Sequence, residues 1–248
     1  MNTFTYRVFG YVLPVYIIAG CSQQFSQTDS AYQQAVKQAA FPQAQDVSTS
    51  LFAINANNEL LQWNEQGDKL LVLTWKNQNA IDKFILPNSH SSTNPNYPIW
   101  VSLAPQLQQF CSQYLADNKS ALQSDLELRL KQYLGLDPSW NYDAFVELYV
   151  APEDLFRPCV DPEVDDNSCH LDASQIASEV KGINNYQGFY QALYFKSFRE
   201  SAGVPWTGLG YTYDWGNPQS RQGASEYIIA PGAEYQVHAV IPTEQYCR

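Results

Sequence analysis

The chain has 248 residues, 45% hydrophobic and 14% aromatic, with 14 Lys and Arg against 25 Asp and Glu and a formal net charge of −11 at pH 7. This acidic balance argues against a nucleic-acid partner, whose phosphates need a basic footprint, and against direct adhesion to anionic lipid. Nothing repeats at a fixed period, which disfavours solenoids and propellers. The length suits one domain, or two small ones on a shared core.

In chain order, Arg7 precedes an apolar run from Val8 to Ile18, followed by Ala19, Gly20 and Cys21. A short basic start, an apolar core and a small-residue end predict an export signal over residues 1–20. The run is shorter than the roughly 20 apolar residues of a membrane span. Ile18-Ala19-Gly20-Cys21 resembles the lipobox of bacterial lipoproteins. That resemblance implies cleavage before Cys21, acylation (such as palmitate) at Cys21, and a lipid-anchored cell-envelope protein held to the membrane by its acyl chains. Ser22 in place of Asp implies the outer membrane where the host has two. A simple signal peptide or an uncleaved anchor remains the alternative. Residues 1–20 contain Arg7 and no acid, so from Cys21 onward 13 basic residues face 25 acidic ones, net −12.

Residues 21–46, rich in Gln, Ser and Ala, predict a flexible tether with a nascent helix near Ala31–Ala40, because such a composition buries little apolar surface. Beyond it, 47–248 reads as one globular α+β domain. Leu51–Asn55 and Lys69–Lys76 read as strands, 77–97 as a long loop and Pro98–Ala104 as a third strand. Helical spacing then predicts Pro105–Leu115, with Pro in its first turn, and a second helix through Leu122, Leu126, Leu130 and Tyr133, closed by Gly135 and Pro138. Ala144–Val150 alternates as a strand. Tyr186–Phe198 reads as a helix with aromatics nearly all round, hence buried. The last two strands, in Ser225–Ala230 and Tyr235–Ile241, are joined by a turn at Pro231-Gly232. Strands and helices mix without strict alternation, which gives the α+β class.

Setting Cys21 aside leaves four cysteines in an oxidising compartment, which permit three pairings. The expected pairs are Cys159–Cys169, closing a short loop, and Cys111–Cys247, stapling the chain end to a helix. Three blocks, Phe145–Cys169, Pro205–Gly216 and Gly223–Val237, resemble a group of uncharacterised bacterial exported proteins that carry them in this order. The resemblance implies one folding unit and no particular activity.

Four features bear on function. Asp161, Glu163, Asp165, Asn167 and Asp172 stand at relative positions 1, 3, 5, 7 and 12, the spacing of a calcium loop. Asp166 occupies the position where the turn needs Gly, and Pro162 redirects the chain, so an irregular calcium site competes with a solvated acidic turn. Beyond calcium, the chain suggests no cofactor. Tyr211, Tyr213 and Trp215 alternate, share one face of a strand and, with Trp206, form either a stacking surface for a ligand or part of the core. Glu226 and Gly232 resemble the last motif of mono-ADP-ribosyltransferases, which implies a catalytic Glu226. However, Ala224 replaces the companion acid, and Ser48-Thr49-Ser50 has only Arg7 before it. Asp214 is a second candidate acid. The histidines His90, His170 and His238 lack a metal spacing. Two functions follow: a lipid-anchored module that binds another envelope component, protein or glycan, or an enzyme acting on glycan or NAD-like substrates.

Overall fold

Leu70–Lys76 and Ala144–Val150 are apolar on nearly every residue, the mark of strands buried on both faces. In the computed structural model they are β1 and β3, paired along seven residues at the centre of a six-stranded antiparallel sheet. The model describes Met1 and residues 27–200 and 203–248. The rest of the expected signal segment and the lipidation site Cys21 lie outside the described residues. Ile99–Leu103 forms β2, Leu155–Phe156 β4, Tyr227–Ile229 β7 and Tyr235–Pro242 β8, in the order β4-β7-β2-β1-β3-β8. Tyr211–Tyr213 (β5) and Gln222–Ser225 (β6) form a separate two-stranded sheet. The class is α+β, as the mixed pattern predicts.

The period of two along a strand sorts the core into two layers. Leu70, Val72, Val146 and Leu148 point to one face and pack with Tyr186 and Leu193 of the helix Tyr186–Arg199 (α5 below). Leu71, Leu73, Trp75 and Phe145 point to the other face. They meet Leu107, Leu126 and Leu130 of the helices Ala104–Asp117 and Gln123–Tyr133 (α3 and α4 below) and Tyr246 of the final helix Thr243–Tyr246 (α6). Each such side chain contributes about 1.5–3 kcal/mol by leaving water. Both expected disulfides are present: Cys111–Cys247 fastens α3 to the chain end, and Cys159–Cys169 closes the acidic loop.

Four expectations are corrected. The segment read as tether is folded from residue 27. Gln27–Ala39 is helix α1, and Tyr32, Ala35 and Ala39 are buried against Tyr213 and Trp215. Three apolar residues at helical spacing are enough once an aromatic seat is available. Leu51–Asn55 joins no sheet; the loop carbonyls of Asn167 and Val164 accept from Leu51 and Ile54, and the Ser225 hydroxyl accepts from Phe52. The loop 77–97 opens with a helical turn, Gln78–Ala80 (α2), capped by the Asn77 side chain and continued by a wider turn over Ile81–Ile85 that buries Ile81 and Ile85. Helix α5 is buried only along Tyr186, Leu193 and Ser197; Tyr194 and Phe195 face solvent.

Candidate functional site

A cleft of about 530 Å³, with mostly apolar walls, opens between α5, the β1–β2 region and the segments 134–142 and 203–213. That volume falls within the roughly 300–1,000 Å³ of small-molecule sites. Trp75, Trp100, Trp140 and Trp206 line it. Trp75 is held by stacking on Tyr142 at 4.6 Å and by donating its indole N–H to the Thr243 hydroxyl at 2.8 Å. Trp140 stands half-exposed at the rim.

Glu226 reaches this cleft from the crossover between the two sheets, immediately after β6 and before β7. Its backbone N–H donates to the Gly210 carbonyl at 3.0 Å. Extending the β2–β7 register one residue past Val101↔Tyr227 sets it opposite Ser102. Glycine is required just upstream: a Cβ on Gly223 would collide with the Tyr133 carbonyl and the Thr212 hydroxyl. Only 7% of Glu226 is exposed, and its Oε1 has no hydrogen-bond partner. Burial alone raises the carboxyl pKa from 4.5 to about 8, so at neutral pH it is protonated and can donate. Trp206 is equally buried at 6% exposure, and its indole N–H also lacks an acceptor. Lys76, at the end of β1, lines the same cleft partly buried, and desolvation lowers its pKa. Buried polar atoms without partners are uncommon and costly. Here Glu226 and Trp206 contribute two to one cavity.

No protein-family profile, curated protein or solved structure matches this chain.

The other candidates separate. Asp214 is buried in a two-pronged ion pair with Arg129, at 2.8 and 2.6 Å, and also accepts from the Gly216 N–H. A carboxylate so engaged positions α4 against the β5 turn and has no free oxygen for acid–base work. The aromatic stretch divides as well. The Tyr211 hydroxyl donates to the Asp46 carbonyl at 2.6 Å, that of Tyr213 to the Gln38 side chain at 2.6 Å, and the Trp215 indole to the Leu136 carbonyl at 3.2 Å. Tyr211 and Tyr213 are buried, and Tyr213 and Trp215 seat α1. They are no open stacking surface, although Tyr213 also touches the cleft. Trp206 alone of the four offers the cleft an unpartnered polar group.

The acidic loop is organised by an internal cation. Arg157 is fully buried and donates to the carbonyls of Phe52, Glu163, Val164, Asp166 and Ser168, and pairs with the Asp166 carboxylate. The calcium candidates do not converge. Asp161 accepts from the His170 N–H, Asp172 caps a turn at Ser174, and Glu163, Asp165 and Asn167 are exposed. Among the described residues, the one close group of metal-ligating side chains is Cys159, Asp161 and Cys169, whose cysteines are joined in the disulfide. The guanidinium instead gathers the backbone carbonyls of the loop and the Asp166 carboxylate, none of which is a candidate metal-ligating side chain. Of the cleft tryptophans the sequence singled out Trp206 alone; neither the role of Arg157 nor Trp75, Trp100 and Trp140 had a signal there, because a single arginine and residues far apart in the chain carry no local pattern.

Proposed function

We propose that this chain is a ligand-binding protein of the cell envelope, anchored by acylation of Cys21, whose domain takes a small, largely apolar molecule into the aromatic cleft. One observation carries the proposal: the Glu226 carboxyl and the Trp206 indole N–H, both more than nine-tenths buried, lie without partners on the same cavity. A ligand that accepts from both recovers hydrogen bonds the folded protein leaves unmade. Among the described residues no helix is long and apolar enough to cross a membrane, so the acyl chains supply the attachment in this proposal.

The test uses anilinonaphthalene sulfonate as an apolar fluorescent probe. Ala192, on the exposed side of α5 and lining the cleft, is changed to Trp to fill it. Probe binding is expected to weaken at least tenfold with the melting temperature unchanged; equal binding by Ala192→Trp refutes the cleft as the site. For the anchor, Cys21→Ser is expected to abolish fatty-acid labelling, and retained labelling refutes it.

A second function, an enzyme on glycan or NAD-like substrates, is favoured by one observation: a carboxyl with a pKa near 8 suits a general acid at neutral pH. Asp214 cannot serve as its partner. Hydrolysis of NAD or of cell-wall glycan that survives Glu226→Gln removes this version.

A further inference from the structure

The cleft coincides with a split in the main sheet. β1 and β2 pair only at Val72↔Leu103 and Leu73↔Ser102, although β1 continues to Lys76 and β2 begins at Ile99. In the same register the next partners are Thr74 with Val101 and Trp75 with Trp100, and neither pair forms. Leu73 to Lys76 and Trp100 to Ser102 line the cleft instead. On their outer sides both strands stay paired, β1 with β3 as far as Lys76↔Ala144 and β2 with β7 from Ile99 to Val101.

The direction of the backbone groups follows from the period of two. The Asp143 N–H donates to the Lys76 carbonyl, so Lys76 faces β3. The Leu71 N–H donates to the Gln62 carbonyl on the opposite side of β1, so Leu71, Leu73 and Trp75 turn their N–H and C=O toward β2. Ser102 faces Leu73, and Trp100, two residues before it, faces β1 likewise. On the far side of β2, the Ala230 N–H donates to the Asp154 carbonyl, which turns Tyr227 and Ile229 toward Val101 and Ile99, in agreement. Two central strands thus present an N–H and a C=O each, from Trp75 and from Trp100, across a cavity whose walls are mostly apolar. Backbone groups in such surroundings need partners.

We infer that the cleft binds a short, extended, apolar peptide, which completes the interrupted ladder between β1 and β2. Consecutive residues of an extended chain turn their N–H and C=O to opposite sides, so one residue meets Trp75 while the next meets Trp100. The walls take the side chains, and a peptide carbonyl accepts from Glu226 or Trp206. A purely hydrocarbon ligand leaves all of these groups unmet. The inference rests on the ligand-binding proposal and specifies its ligand.

The experiment is affinity selection by mass spectrometry on the full chain in detergent. One pool contains N-acetyl tripeptide amides built from Val, Leu, Phe and Tyr; a second contains alkyl and aryl compounds of matched size without amides. Peptides are expected to be enriched, and Ala192→Trp to abolish the enrichment. Replacing the central amide of the best peptide by an ester removes one N–H and is expected to weaken binding about fivefold, the effect of one net hydrogen bond. Enrichment confined to the amide-free pool, or an ester that binds equally, overturns strand insertion and leaves the cleft proposal standing. No capture from either pool overturns both.

Discussion

Replacing Glu226 by glutamine tests whether the floor of the cleft is dry. An acid whose pKa is raised in the folded state favours folding only while protonated. That contribution is fully present below the ordinary value of 4.5 and is lost as pH rises toward about 8. Over that window the unfolded chain gives up its proton while the folded one keeps it. At about 1.4 kcal/mol for each tenfold change in proton affinity, the wild type loses about 3 kcal/mol between pH 4.5 and 7, and about 5 in all by pH 8.5. The glutamine side chain cannot ionise, and its buried amide adds a cost independent of pH. The other acids titrate identically in both proteins, including Glu147 and Asp161, whose pKa values burial also raises. Urea unfolding from pH 4.5 to 8.5 therefore gives a difference between Glu226→Gln and wild type that grows steadily in favour of the variant and flattens above pH 8. Parallel curves refute the reasoning, because they mean that Glu226 ionises as it does in water and that the cleft floor is wet.

The remaining predictions concern what holds the cleft in place. Removing the Cys111–Cys247 disulfide, which spans 136 residues, is expected to cost about 5 kcal/mol, and removing Cys159–Cys169, which spans 10, about 3; equal losses in urea unfolding refute the loop-length account. Asp214→Asn leaves the partly buried Arg129 without its carboxylate and is expected to cost about 3 kcal/mol, whereas a loss below about 0.5 makes the pair an ordinary surface contact. Arg157→Lys substitutes a point charge for a fork that reaches six acceptors, so the loop 159–169 is expected to become sensitive to protease. Added calcium is expected to leave the wild-type melting temperature unchanged, and a rise of several degrees restores the metal site. Gly223→Ala is expected to abolish soluble expression, because neither the Tyr133 carbonyl nor the β5 backbone can retreat.

Local pattern was enough for the strands β1, β3 and β8, the helices α3 and α4, and the α+β class, because an apolar period of 2 or 3.6 is written into adjacent residues. The two disulfides were legible from the number and spacing of the cysteines, whereas Glu226 was singled out only by its resemblance, with Gly232, to a transferase motif. Long-range geometry decided the rest. Helix α1 depends on the seat formed by Tyr213 and Trp215, at the other end of the sequence. The acidic loop looked like a metal site because its side-chain oxygens have the right spacing, and only the fold shows them diverging while the Arg157 guanidinium gathers the loop's backbone carbonyls. The cleft depends on a ladder that stops after Leu73↔Ser102 while both strands continue. Strand propensity states that a residue is extended and does not state which neighbour it pairs with, so a missing pair between Trp75 and Trp100 becomes visible only in the tertiary structure.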